Sequence, residues 1–201
     1  AVVLIRLNTP GGMLQATQQI VQAIVASPVP VVTFVAPSGG KAASAGFIIL
    51  VAADVAAMAP GTNTGAATPV AMGGAEIDAT MKKKIESDAA ANLRAVADKR
   101  GRNSELAQEA IMEARSFTEQ EALESNLIEI VAKDEADLMA QLDSRTVQRF
   151  DGTETVLATA GATVEPLELT YRQRMLLPLT DPGLAFILTA LGLIGIYIEF
   201  T

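Results

Sequence analysis

Apolar positions run unbroken in short stretches near the start of the chain and recur at helical spacing beyond them. Val2–Leu7 reads as a buried strand, which Thr9-Pro10-Gly11-Gly12 breaks. From Met13 to Ala26, Leu14, Ile20, Val21, Ile24 and Val25 recur among glutamines, which predicts an amphipathic helix. Ser27–Pro30 ends it, and Val31–Val35 is a second apolar strand. Strand, helix and strand predict a βαβ unit on a parallel sheet. Pro37-Ser38-Gly39-Gly40 reads as a loop, Ala42–Ala52 as a helix buried almost all round, and Val55–Ala59 as a short strand. Pro60–Thr68 is rich in turn residues. Pro69–Ala79, with Gly73-Gly74, reads as a mobile loop.

The pattern then turns polar and helical. Helices are expected over Thr80–Arg100, stopped by Gly101, and over Ser104–Arg115. Thr118-Glu119-Gln120-Glu121 is a capping sequence for a short helix through Glu124. Leu127–Ala132 is strand-like and Glu135–Leu142 helical. Ser144–Tyr171 alternates Thr, Val and Leu with charges, which suggests a small strand-rich appendage. Leu184–Phe200 carries one charge, Glu199, and is apolar all round. It is short for a bilayer span, which takes about 17–25 residues, and is expected to be the start of a truncated one. The expected organisation is a catalytic domain over 1–143, an appendage or linker over 144–182 and the start of a transmembrane region over 183–201.

Composition removes several chemistries. Net charge is −8, so the surface that would neutralise nucleic-acid phosphates is missing and nucleic acid is not an expected partner. The chain has no cysteine, which excludes disulfides, a cysteine nucleophile and thiolate metal sites. It has no histidine, so no Ser-His-Asp triad can form. Neither a metal nor another cofactor is expected.

Three features remain that could act on a carbonyl. Gly11-Gly12 follows a buried strand, where backbone N–H groups could approach a substrate oxygen; a plain tight turn is the bland alternative. Lys41-Ala42-Ala43-Ser44-Ala45-Gly46 puts Ser44 among small neighbours at a helix start, or simply provides a close packing site. Lys82-Lys83-Lys84 opens the long helix and would ordinarily be a solvated face. In a chain without histidine, lysine is the first candidate to activate a serine once burial makes it neutral. Asp54 and Asp78 are weaker alternatives.

Taken in order, TPGG after a strand, ASAG at a helix start, AADVAAMAPGTNTGAATPV, Gly101-Arg102-Asn103, TEQEAL and NLIEIVA resemble the ClpP-class serine proteases. Within that class they resemble the stomatin-operon partner proteins of the NfeD type, over Ala1–Ala132. The resemblance implies an α/β fold, the ClpP/crotonase-like spiral of ββα units, here without its N-terminal strand and helix. It implies a membrane-anchored serine endopeptidase with Ser44 as nucleophile and a lysine base. By motif spacing Lys84 fits best, then Lys83, then Lys82. Gly11 or Gly12 and Ala45 would supply the oxyanion hole. Met13, Val70 and Met72 would meet a hydrophobic substrate segment, such as that of a stomatin-like membrane protein. Membrane lipid and further copies of the chain are expected partners, and the catalytic domain is expected outside the cytoplasm. Asn126 departs from the glycine common in the family. The rival readings are a non-catalytic membrane scaffold and a crotonase-type acyl-CoA enzyme.

Overall fold

Strand β1 (Val3–Leu7), helix α1 (Leu14–Val25) and strand β2 (Val31–Val35) form the expected βαβ unit, with Val3 opposite Val31 and Leu7 opposite Val35 in parallel register. The computed structural model describes residues 1–70, 78–168, 170–180 and 182–199. Two further parallel strands, β4 (Val55–Met58) and β7 (Ile130–Val131), complete a sheet in the order β1-β2-β4-β7. Every residue of β2 and β4 is buried, which matches their apolar composition; the one polar residue, Thr33, donates its hydroxyl to the Leu50 carbonyl at 3.3 Å. Helix α1 turns Thr17, Val21 and Ile24 inward, at the spacing of one helical face.

The helix expected over Ala42–Ala52 is divided. Lys41–Ala43 is a strand, β3, and only Ala45–Ala52 is helical (α2). Residues 60–68, expected as turns alone, contain β5 (Asn63–Gly65). It pairs parallel to β3 and antiparallel to β6 (Ser116–Thr118) in a second, three-stranded sheet. The pairing of Ala42 with Thr64 explains the division. The Thr64 hydroxyl donates to the Ala42 carbonyl at 2.7 Å, and Ala42 is wholly buried.

Long helix α3 (Ala79–Lys99) begins on the Asp78 carboxylate, which accepts from the Thr80 and Met81 amides, and Gly101 ends it at φ 68°. It packs on α4 (Ser104–Met112). Helix α4 stops three residues short of the expectation, where Ala114 takes a positive φ of 53°. Helix α5 (Glu119–Glu124) carries the predicted capping box between Thr118 and Glu121. Helix α6 (Glu135–Leu142) leads into a hairpin of β8 (Thr146–Gln148) and β9 (Glu154–Val156). Val147 and Leu157 of this segment are buried with Val32, Phe34 and Leu138 on one side of the large sheet. The opposite side packs on α2, α3 and α4 through Phe47, Leu50, Leu93 and Ile111.

The chain divides into two compact units, 1–162 and 163–201. The second contains α7 (Tyr171–Leu176), a 3-10 turn (Leu177–Thr180) and α8 (Pro182–Glu199). Among the described residues no helix is long and apolar enough to cross a membrane. At 1.5 Å per residue α8 is about 27 Å long, against a hydrocarbon layer of about 30 Å.

Candidate active site

Ser44 stands between β3 and α2, not in the first helical turn, with φ 54° and ψ −115°. A serine in that region is strained by about 1–3 kcal/mol, and the surroundings hold it there. Its N–H donates to the Gly65 carbonyl at 2.8 Å, and its carbonyl accepts from Phe47 at 3.0 Å. The residues two before and two after must be small. A β-carbon on Gly46 would stand 2.7 Å from Thr9 Cγ2 and 3.2 Å from Ala42 Cβ. Such a strand–turn–helix corner raises the hydroxyl of its serine above the sheet, as in a nucleophile elbow. The hydroxyl has no hydrogen-bond partner among the described residues, and Ser44 is half-buried.

The TPGG segment reaches Ser44 through β3. Thr9 N donates to the Lys41 carbonyl at 2.7 Å, and Ala43 N donates to the Thr9 carbonyl at 3.1 Å. This bridge brings Gly11 so close that a β-carbon there would lie 3.0 Å from Ser44 Cβ and 3.4 Å from its Oγ. The Gly11 N–H is occupied, since it donates to Thr9 Oγ1 at 3.1 Å. The N–H groups of Gly12 and of Ala45, the first residue of α2, have no acceptor among the described residues. Two open donors beside an open hydroxyl, at the positive end of a helix, can hold an oxyanion.

A cleft of about 480 Å³ opens over Ser44 and Ala45, with Gly12, Met13, Ile48 and Val70 among its walls. Its far wall is fixed to α4: Ala67 N donates to the Ala110 carbonyl at 2.7 Å, and Thr68 Oγ1 donates to the Ile111 carbonyl. Met13 and Val70 are 60% and 83% exposed, so their apolar surface is available to a ligand. Met72, expected beside them, lies outside the described residues, as do Gly73 and Gly74.

Residues 1–165 match the family described as NfeD1b, N-terminal domain. The chain belongs to this family. Relatives of the NfeD1b N-terminal domain include the Membrane-bound protease PH1510 of Pyrococcus horikoshii. That protein is 35% identical over 202 residues, an alignment that takes in 98% of this chain and 45% of the relative. The chain therefore spans less than half of that protein's length. Among solved structures, a lysine-to-alanine variant of the 1510-N membrane-bound stomatin-specific protease, in complex with a substrate peptide, superposes with a TM-score of 0.78. It is 32% identical, with 90% of this chain and 83% of that one covered. A serine-to-alanine variant of the same protease gives 0.76 at 34% identity, over 84% and 83%. A structure of the 1510-N membrane protease specific for a stomatin homolog from Pyrococcus horikoshii gives 0.74 at 31%, over 90% and 82%.

In this NfeD1b domain Ser44, Gly11, Gly12, Ala45, Met13 and Val70 come together, whereas the lysines stand apart. Lys82, Lys83 and Lys84 are all exposed on the first turns of α3. Lys82 pairs with Glu86 at 3.8 Å, while Lys83 and Lys84 border a separate depression with Thr80 and Asp88. No lysine lines the Ser44 cleft among the described residues. The carboxylate alternatives are committed elsewhere. Asp78 caps α3. Asp54 lies at the opposite end of the sheet, where its Oδ1 accepts from Arg100 at 2.6 Å and its Oδ2 accepts from Val31 N at 2.8 Å. Gly65, whose carbonyl fixes Ser44, drew no notice in the sequence. It takes φ 111°, and a β-carbon there would strike Arg115 and Ser116 of the neighbouring chain segment. Its spacing after the serine is not diagnostic, since only the β3–β5 pairing joins the two.

Proposed function

We propose that this chain is the catalytic part of a serine endopeptidase that cuts apolar segments of a membrane protein, such as a stomatin-like partner. The observation that carries the reading is Ser44 itself. A strained serine with an open hydroxyl sits at a helix N-terminus, and two open N–H groups lie beside it across an apolar cleft. In the reaction Ser44 Oγ attacks the scissile carbonyl while a neutral lysine takes its proton, and the Gly12 and Ala45 amides hold the oxyanion. The lysine returns its proton to the leaving amine, and water then hydrolyses the acyl-enzyme. Lys84 is the proposed base. Support comes from the absence of histidine and from the relatives studied as serine-to-alanine and lysine-to-alanine variants.

This assignment requires the start of α3 to approach Ser44. The first residue of α3 that joins the core is Ala89, so the turns carrying Lys84 can shift without breaking core contacts. We read the two sheets and their helices, residues 1–143, as the ClpP/crotonase-like spiral, and α8 as the membrane-contacting part. Self-association and a position outside the cytoplasm complete the proposal. The distance of Lys84 from the cleft favours one rival, a scaffold that retains a protease fold without turnover.

A fluorophosphonate probe and an apolar peptide separate the two. The protease reading expects labelling and cleavage by the unaltered chain and loss of both in Ser44→Ala, with the melting temperature nearly unchanged. Lys84→Ala and Lys84→Arg should each lose several orders of magnitude in kcat, since guanidinium cannot accept the proton. Undiminished cleavage by Ser44→Ala would sink the nucleophile, and full activity in Lys84→Arg would move the base to Lys83.

A further inference from the structure

Beyond β1, Thr9 makes an isolated parallel bridge to Ala42 of β3. Its backbone is committed to that bridge, the N–H donating to the Lys41 carbonyl and the carbonyl accepting from the Ala43 N–H. Its methyl group faces Gly46, where a β-carbon would stand 2.7 Å away. The hydroxyl turns to one residue only. Thr9 Oγ1 accepts from the Gly11 N–H at 3.1 Å and donates to the Gly11 carbonyl at 3.0 Å.

We propose that Thr9 is a positioning residue for the oxyanion hole: its hydroxyl holds the Gly11–Gly12 peptide in the orientation that offers an N–H, not a carbonyl, to the reacting oxygen. The inference rests on the protease reading of Ser44. The Gly11 carbonyl and the Gly12 N–H belong to one peptide group, which is planar and trans, so they point in opposite directions. A hydroxyl that grips the carbonyl therefore aims the N–H. Gly12 lines the Ser44 cleft, and a β-carbon on it would lie 3.6 Å from Ala45 Cβ, beside the second open donor. The same hydroxyl closes off the Gly11 N–H, so of the paired glycines Gly12 is the one offered to a ligand. Without that grip the peptide is free to turn over, because glycine stands on both sides of it and rotation meets no β-carbon of its own. Turned over, it would present a carbonyl where negative charge develops, and an attraction would become a repulsion.

The test compares Thr9→Val and Thr9→Ser in the full chain. Valine keeps the shape of threonine and the methyl group on Gly46 but has no hydroxyl; serine keeps the hydroxyl and drops the methyl. Two readouts are taken on folded protein: kcat and KM on an apolar peptide, and the affinity of a peptidyl boronate. The boronate forms a tetrahedral adduct on serine and carries the oxygen that the hole would hold. Thr9→Val should lose about ten- to a hundredfold in kcat with KM nearly unchanged, and boronate affinity should fall in the same proportion. Thr9→Ser should return most of both. Thr9→Cys, whose thiol is a weak donor and acceptor, should fall between them, and it carries the test if Thr9→Val does not fold. Full kcat in Thr9→Val overturns the assignment. So does a lowered melting temperature with kcat and boronate affinity intact, which would make Thr9 a folding residue. Equal losses in Thr9→Ser and Thr9→Val also overturn it, because the methyl group and not the hydroxyl would then matter. Cleavage by the unaltered chain and by Thr9→Val alike defeats the role of Thr9 alone, whereas cleavage by neither defeats the protease reading with it.

Discussion

At Gly11 the backbone takes φ 144°, where side chains are disfavoured, and it faces the Ser44 Cβ at the distance where a methyl group would press. Two separate costs attach to Gly11→Ala. The conformational one destabilises the fold by about 1 kcal/mol. The steric one displaces Ser44, and displacement of a reacting atom by about 1 Å can cost roughly a hundredfold in rate. We expect kcat to fall at least tenfold while the melting temperature drops only a few degrees, with peptide cleavage and thermal unfolding read on the same sample. Equal proportional losses would assign Gly11 to folding alone. At this scale the sequence was informative about residue types but not about conformation. Small residues around Ser44 and the paired glycines were visible as motifs. The positive φ of Ser44 was not, because it arises from β3, whose partners at Thr9 and Thr64 are remote in the chain. Nor does the run of three lysines single out any one of them, since all three are solvated on α3.

Among the elements, the hairpin of β8 and β9 is tied to the sheet by charge. Arg149, beside the hairpin turn, donates to the Ser27 carbonyl and pairs with Asp54 Oδ1 at 3.3 Å. Arg100 pairs with the same oxygen, and the Asp54 and Arg100 side chains are 0% and 2% exposed. Burial pushes the Arg100 guanidinium below its usual range; Asp54 opposes this, while Arg102 and Arg149 add to it. One carboxylate thus compensates two buried cations. Neighbouring Arg102 is balanced separately, by a two-pronged pairing with Glu129 at 2.8 and 2.6 Å. Asp54→Asn leaves two guanidiniums without their counter-charge and should cost about 3–5 kcal/mol. Arg149→Met removes the more distant cation and one repulsion, and should cost no more than about 1 kcal/mol. Urea unfolding of both variants checks the order, and a reversed ranking would contradict it. Sequence periodicity located these helices and strands to within a few residues. It could not locate β3, β5 and β6, each three residues long and lacking an apolar run. It also gave Asp54 and Arg102 no structural role, since an ion pair across the chain leaves no local pattern.

For the molecule as a whole, the parallel sheet was legible because each of its longer strands is an apolar run bounded by Pro, Gly or Asp. The membrane expectation was legible in part. Along α8, Phe186, Leu191, Leu193, Ile194, Ile196 and Ile198 are exposed, so the apolar character noted in the sequence is real, although no helix among the described residues is long and apolar enough to cross. On phase separation in a cloud-point detergent, residues 1–201 should enter the detergent phase and residues 1–162 should remain in the aqueous phase. Recovery of both from the aqueous phase would mean that protein, not lipid, covers α8.

Helix α2 carries a further consequence. Phe47, Leu50, Val51 and Ala52 are wholly buried, on a helix that touches both sheets, α1 and α3. Ser44 is covalently joined to a helix buried against both sheets, α1 and α3. Fraying of α3 or loss of the hairpin leaves that attachment untouched. The backbone at Ser44 should therefore outlast fraying of the outer elements on heating, whereas activation by the proposed base Lys84, on the outer turns of α3, should be lost before it.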